Sequence, residues 1–261
     1  MRFHAVYWPA MLLSAGLPLP TDVLVHDCLT VDGRKISKSA GATVDPLELV
    51  HDYGTDAVRW WLLREVPRAG DVDFTLERLV ARADSDLAGG LGNLVARVVT
   101  MVHRFRAGVV PAAVPAGGSG AAVPRTAHGS VPGGAPDREP GGRIADVCGR
   151  APGLVDAALE AFDFRRAALA VWSVVDEANR HVDRTRPWEL AAAERAGDPE
   201  AGRRLDRALA ELVAACAVVA TELEPFLPGA AALVRERCTP VGGVLPPAGR
   251  LFPRVGEWTG H

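Results

Sequence analysis

The clearest chemistry in this 261-residue chain lies in one five-residue stretch. Its basic residues are 27 arginines and only two lysines, and both lysines stand in Lys35-Ile36-Ser37-Lys38-Ser39. Arginine presents a planar, weakly hydrated fork, whereas lysine presents a compact point charge on a flexible stem. A loop that must follow a phosphate charge as it develops needs the second. Alone, five residues also fit a lysine-tolerant surface turn. The cysteines Cys28, Cys148, Cys216 and Cys238 are scattered with no C-x-x-C pair, so neither a zinc site nor a disulfide framework is indicated.

The elements around the lysines are readable. Val23–His26 and Cys28–Val31 read as short strands or one bent strand, and Asp32-Gly33 is a tight-turn signal that puts the lysines on a loop. Asp45 before Pro46 starts a helix through His51; Gly54 ends it, and Thr55 or Asp56 caps a second helix from Ala57 to Val66. Upstream, His4–Ala15 reads as a short amphipathic helix stopped by Gly16, Pro18 and Pro20.

From Thr75 the pattern turns all-helical, with Leu79, Leu87, Leu91, Leu94, Val98, Val102 and Phe105 at helical spacing. Gly89, Gly90 and Gly92 interrupt it and predict a bend or a close helix contact. Residues 108–142, rich in Ala, Pro, Gly and Ser, read as a flexible insertion. Helices are then expected over Ile144–Val147, Leu154–Phe162, Phe164–Thr185, Pro187–Arg195, Pro199–Leu223 and Ala230–Arg237, with a possible strand at Arg250–Val255. The net charge of −3 gives no overall basic field, so an RNA ligand would have to be met by a local patch. No secretion signal or membrane-length apolar run is visible, and the chain reads as soluble and cytoplasmic, with neither membrane nor DNA as partner.

Arg34-Lys35-Ile36-Ser37-Lys38-Ser39-Ala40-Gly41, after a strand and turn and before a helix, resembles the KMSKS loop of class I aminoacyl-tRNA synthetases, with Ile36 in place of the usual methionine. The flanks point to the methionyl-tRNA synthetase family. They are Phe3-His4-Ala5-Val6-Tyr7-Trp8-Pro9-Ala10, Tyr53-Gly54-x-Asp56-x-x-Arg59, Leu63-Arg64-Glu65, Asp73-Phe74, Gly92-Asn93-Leu94, Asp183, Pro187-Trp188 and Leu251-Phe252-Pro253-Arg254. The likeness covers the chain apart from 108–142.

The resemblance implies a mostly α protein, the C-terminal part of a Rossmann-like α/β catalytic domain followed by an all-α anticodon-binding helical bundle. The domains would be 1–74, 75–238 and a tail, 239–261. It implies ATP, with Mg2+, as substrate, bound by Lys35, Ile36, Ser37, Lys38 and Ser39. Lys35 and Lys38 are the catalytic pair that neutralises the triphosphate as pyrophosphate leaves. His4 and Trp8 would wall the methionine pocket; without the family they read as a satisfied histidine and a core aromatic. Asn93 and Arg97, four apart on one helix, with Trp188 at another helix start, would read the CAU anticodon of a methionine-type tRNA. Each has an ordinary structural reading when taken alone.

The family's His-x-Gly-His motif and zinc knuckle are not found. The expectation is therefore that this chain alone does not form methionyl-adenylate, and that an early catalytic half, in a separate chain or an upstream frame, completes the site. The alternative is a non-catalytic tRNA-binding module or paralogue.

Overall fold

Short-range signals set the first quarter of the chain. Five π-helical residues, Phe3–Tyr7, run on into α1 (Trp8–Ser14), and Gly16 ends the segment at φ 67°. A tight hairpin joins β1 (Leu29–Val31) to β2 (Arg34–Lys35), with Gly33 at φ 68° in the turn, where a side chain would be strained. The Asp45 carboxylate then accepts from the Leu47 N–H at 2.8 Å and starts α2 (Pro46–Tyr53), and Gly54 leads into α3 (Thr55–Glu65). Strand β3 (Val72–Phe74) lies parallel to β1, giving the order β2-β1-β3. Asp73 braces the hairpin: its Oδ1 accepts from Thr30 Oγ1 at 2.6 Å and from the Gly33 N–H at 2.9 Å. The computed structural model of the chain describes residues 2–25, 28–31, 33–35, 44–67, 69–112 and 140–252.

The remainder is helical: α4 (Leu76–Arg82), a π-helical segment (Ala83–Gly92), α5 (Asn93–Arg106), α6 (Pro140–Glu160), α7 (Phe164–Thr185), α8 (Pro187–Arg195), α9 (Pro199–Glu222) and α10 (Pro228–Cys238). Thr75, Asp163 and Asp198 cap α4, α7 and α9 with side-chain oxygens. Helix α9 is central, packing on α5, α6, α7, α8 and α10.

The glycine run makes the expected close contact and locally widens the helix. Ala83, Leu87 and Leu91 recur every fourth residue on the buried side of the π-helical segment. A Cβ on Gly90 would sit 3.2 Å from Trp172 Cζ2, and one on Gly92 would sit 3.3 Å from Phe252 Cδ2. Trp172 in turn stacks on Trp60 of α3, with centroids 4.3 Å apart and planes tilted 36°, and the Trp60 indole N–H donates to Asp86 Oδ2 at 3.0 Å. Trp61 meets Phe74 edge-on at 4.8 Å. One continuous core therefore runs from α3 and β3 through the π-helical segment into α7 and α9.

Several expectations are corrected. Of the strand expected at Val23–His26, residues 23–25 form none, since Val23, Leu24 and Val25 are exposed and bury no apolar face, and His26 lies outside the described residues. Helix α6 runs unbroken through Pro152, because burying Ile144, Ala151, Val155 and Ala158 against α7 and α9 outweighs the lost backbone bond. Neither Thr55 nor Asp56 caps α3; the Asp56 carboxylate bonds α10 instead. Residues 250–252 form no strand, and 253–255 lie outside the described residues. Of the expected insertion, Gly108 is buried and Val109 bridges Val244, while 140–142 already belong to α6; residues 113–139 lie outside the described residues. No described helix is long and apolar enough to cross a membrane.

Filling the space above Gly90 should separate Trp172 from the π-helical segment. Gly90→Leu is expected to lower stability by about 2 kcal/mol in urea denaturation, the usual cost of overpacking a fitted core.

Candidate functional site

The residues singled out in the sequence fall into three groups. Lys35 closes β2, so the Asp73-braced hairpin fixes where the lysine motif begins. Ile36, Ser37, Lys38 and Ser39 lie outside the described residues. His4 and Trp8 share the first helical segment, and both are exposed, as are Phe3, Val6, Tyr7, Met11 and Leu13.

The third group, Asn93, Arg97 and Trp188, stands on helices that ion pairs connect. Asn93 opens α5 and faces a groove of about 460 Å³ that is also lined by Asp84, Gly89, Ala96, Arg250 and Phe252. One turn on, Arg97 Nη2 donates to Asp183 Oδ1 at 3.0 Å, in the last turn of α7. Immediately after α7 ends, Arg186 takes the left-handed conformation at φ 45° and reverses the chain into α8. Pro187 fills the first turn, where no N–H is needed, and is buried; Trp188 beside it is 44% exposed.

A second fastener ties α8 to α5. Arg106, at the end of α5, donates to both Glu194 carboxylate oxygens at 3.1 and 3.0 Å and to Asp206 of α9. Gly202 makes room for it: a Cβ there would lie 2.6 Å from Glu194 Oε1. Burial works against the Arg106 charge, but the Asp206 and Glu194 carboxylates overcome it and hold its pKa above the ordinary guanidinium value. The α5 helix of Asn93 and Arg97 is thus tied to α7 through Arg97–Asp183 and to α8, which carries Trp188, through Arg106–Glu194.

Glu177 stiffens the same end of α7. Its carboxylate is buried and accepts from Arg180 Nε at 3.1 Å and Arg184 Nη2 at 2.6 Å. Burial raises its pKa, but the two guanidiniums outweigh this and bring it below the ordinary value. Arg106, Glu177 and Glu194 are not among the residues that type and spacing single out. Glu177 and Arg180 stand three apart on one helix, a spacing that could have flagged them, whereas Arg106 and Glu194 are 88 positions apart with no local signal. Among the described residues no group of three or more His, Cys, Asp or Glu could hold a metal ion.

An exposed indole, an amide and a guanidinium are groups that suit unstacked bases, which stack on rings and bond along their edges. Residues 1–99 match the family of tRNA synthetases class I (M). The methionine--tRNA ligases of Caldanaerobacter subterraneus subsp. tengcongensis and Deinococcus radiodurans are 37% and 36% identical over 228 and 241 residues, or 87% and 91% of this chain. This chain belongs to the class I methionyl-tRNA synthetase family. It spans about a third of the length of those relatives, 32% and 31%. A Mycobacterium tuberculosis methionyl-tRNA synthetase solved in complex with methionyl-adenylate matches 97% of this chain and 48% of its own, with a TM-score of 0.78 and 30% identity. The free form of that organism's methionyl-tRNA synthetase matches with a TM-score of 0.76 and 27% identity, over 97% of this chain and 47% of its own.

The Glu177 pair gives a pH signature. A carboxylate whose folded pKa is depressed adds stability above its unfolded pKa and loses it as pH falls through the folded value. Glu177→Gln should cost about 2 kcal/mol at pH 7, with the deficit shrinking as acid titrates the wild-type group, measured by denaturation from pH 7 down to acid.

Proposed function

We propose that this chain is the tRNA-reading and phosphate-loop portion of a methionine--tRNA ligase. Residues 1–74 supply part of a Rossmann-like catalytic domain, 75–238 the anticodon-binding bundle and 239–261 the tail. The observation that carries this reading is the exposed Trp188 at the start of α8, a helix joined through Arg106 and Glu194 to the α5 helix of Asn93 and Arg97. The indole stacks on an anticodon base, and the amide and guanidinium bond base edges of the CAU triplet.

In the complete ligase a methionine carboxylate attacks the α-phosphorus of ATP, giving methionyl-adenylate and pyrophosphate, and a tRNA hydroxyl then takes the methionyl group and releases AMP. Lys35 and Lys38 oppose the negative charge that builds on the departing pyrophosphate, where preorganised charge contributes most. Mg2+ would accompany the ATP. His4 and Trp8 line the methionine site. Their exposure, with that of Phe3, Tyr7 and Met11, fits a segment whose cover comes from the rest of a catalytic unit, in the same polypeptide or a second one. A cytoplasmic setting follows from this role.

The test is fluorescence anisotropy of the purified chain with a CAU anticodon stem–loop RNA, beside the same RNA with its anticodon changed, at fixed salt. The changed anticodon should cost roughly 1–3 kcal/mol, and Asn93→Ala or Trp188→Ala should abolish the difference. Equal binding to both RNAs, or to neither, would contradict the proposal.

A further inference from the structure

Two helix ends in the bundle lack partners of their own, and α3 supplies both. Helix α10 starts after Leu227, which offers no side-chain cap, and its first turn holds no acidic residue. Helix α9 has no basic residue in its last turn. A carboxylate is favoured at the first kind of end and a cation at the second.

Asp56 and Arg59, three apart on α3, fill these places. Asp56 Oδ2 accepts from the Ala230 N–H at 2.5 Å, in the first turn of α10. Pro228 needs no partner there, having no N–H, and Gly229 leaves the space: a Cβ on it would lie 2.8 Å from Asp56 Oδ2. Arg59 donates from Nε to the Phe226 carbonyl at 2.6 Å and from Nη2 to the Pro225 carbonyl at 3.0 Å, in the turn that ends α9. Arg235 of α10 adds a bond to the Ala220 carbonyl at 3.3 Å, so Arg59 and Arg235 share the α9 end. One turn of α3 therefore grips residues 225–230 at opposite poles.

The two sides of this grip matter differently. Helix α3 follows the lysine motif through α2, whereas α9 packs on α5, α7 and α8, which carry Asn93 and Arg97, Asp183 and Trp188. We infer that Asp56 and Arg59 are positioning residues that tie the segment after the lysine motif to the anticodon-side helices, so that RNA held on α5 and α8 restrains residues 46–65. The inference rests on the proposed anticodon reading. Its physical basis is that a ligand which stiffens α5 and α8 stiffens α9, and the α3 clamp passes that restraint on.

Hydrogen exchange of the purified chain, with and without the CAU stem–loop, tests it. In the wild type, bound RNA should slow exchange in 46–65 by about tenfold. In Asp56→Ala and Arg59→Met this slowing should fall below about twofold, while RNA affinity stays within about threefold. Asp56→Asn, which keeps an acceptor for the Ala230 N–H, should retain the slowing. Gly229→Ala, which displaces the carboxylate without altering α3, should lose it and covers the case of an α3 variant that misfolds. Full slowing in Asp56→Ala and Gly229→Ala, or RNA binding by the wild type with no change in 46–65, would overturn the inference. Failure of the wild type to bind RNA at all would instead remove the anticodon reading beneath it.

Discussion

The contact of Trp60 and Trp172 over Gly90 is the constraint from which the rest of the arrangement follows. It joins three elements, α3, the π-helical segment and α7, at one buried point. Trp60 is fully buried with its N–H satisfied by Asp86, so its ring contributes apolar area without stranding a polar atom. Because Gly90 admits Trp172, the π-helical segment lies close on α7. The start of α5 is thereby fixed within reach of the end of α7, where Arg97 meets Asp183.

Polar fasteners then orient what the core has brought together. Arg106 joins α5 to Glu194 and Asp206, Arg59 joins α3 to the turn after α9, and Arg180 and Arg184 brace Glu177 within α7. Arginine suits this work because its planar fork serves several acceptors in a fixed geometry. The sequence's bias toward arginine is thus visible as architecture, while the two lysines are kept for the motif after the hairpin.

What could be read from sequence was local. Asp45, Thr75 and Gly33 act over two or three residues, and their helix starts and turn stand where residue type placed them. The glycine run announced a close contact but not its partner. The break expected between Val147 and Leu154 does not form, because the packing of α6 on α7 and α9 overrides the local penalty at Pro152. The site was half legible. Asn93, Arg97 and Trp188 were found by family likeness, yet their relation depends on Asp183 and Glu194, 86 and 88 positions from their arginine partners. No periodicity encodes such a distance. Thr55 or Asp56 is the cap that residue type offers for α3, yet the Asp56 carboxylate serves the start of α10, 174 positions away.

The central claim is that the faces of α5 and α8 meet an anticodon. Photochemical cross-linking tests it most directly, using a stem–loop RNA in which 4-thiouridine replaces the uridine of the CAU triplet. Mass spectrometry of the adducts should place them on peptides that contain Trp188 or Asn93 to Arg97, and unlabelled CAU stem–loop should compete them away. Adducts confined to other surfaces, or equally competed by an RNA with a different anticodon, would contradict the account.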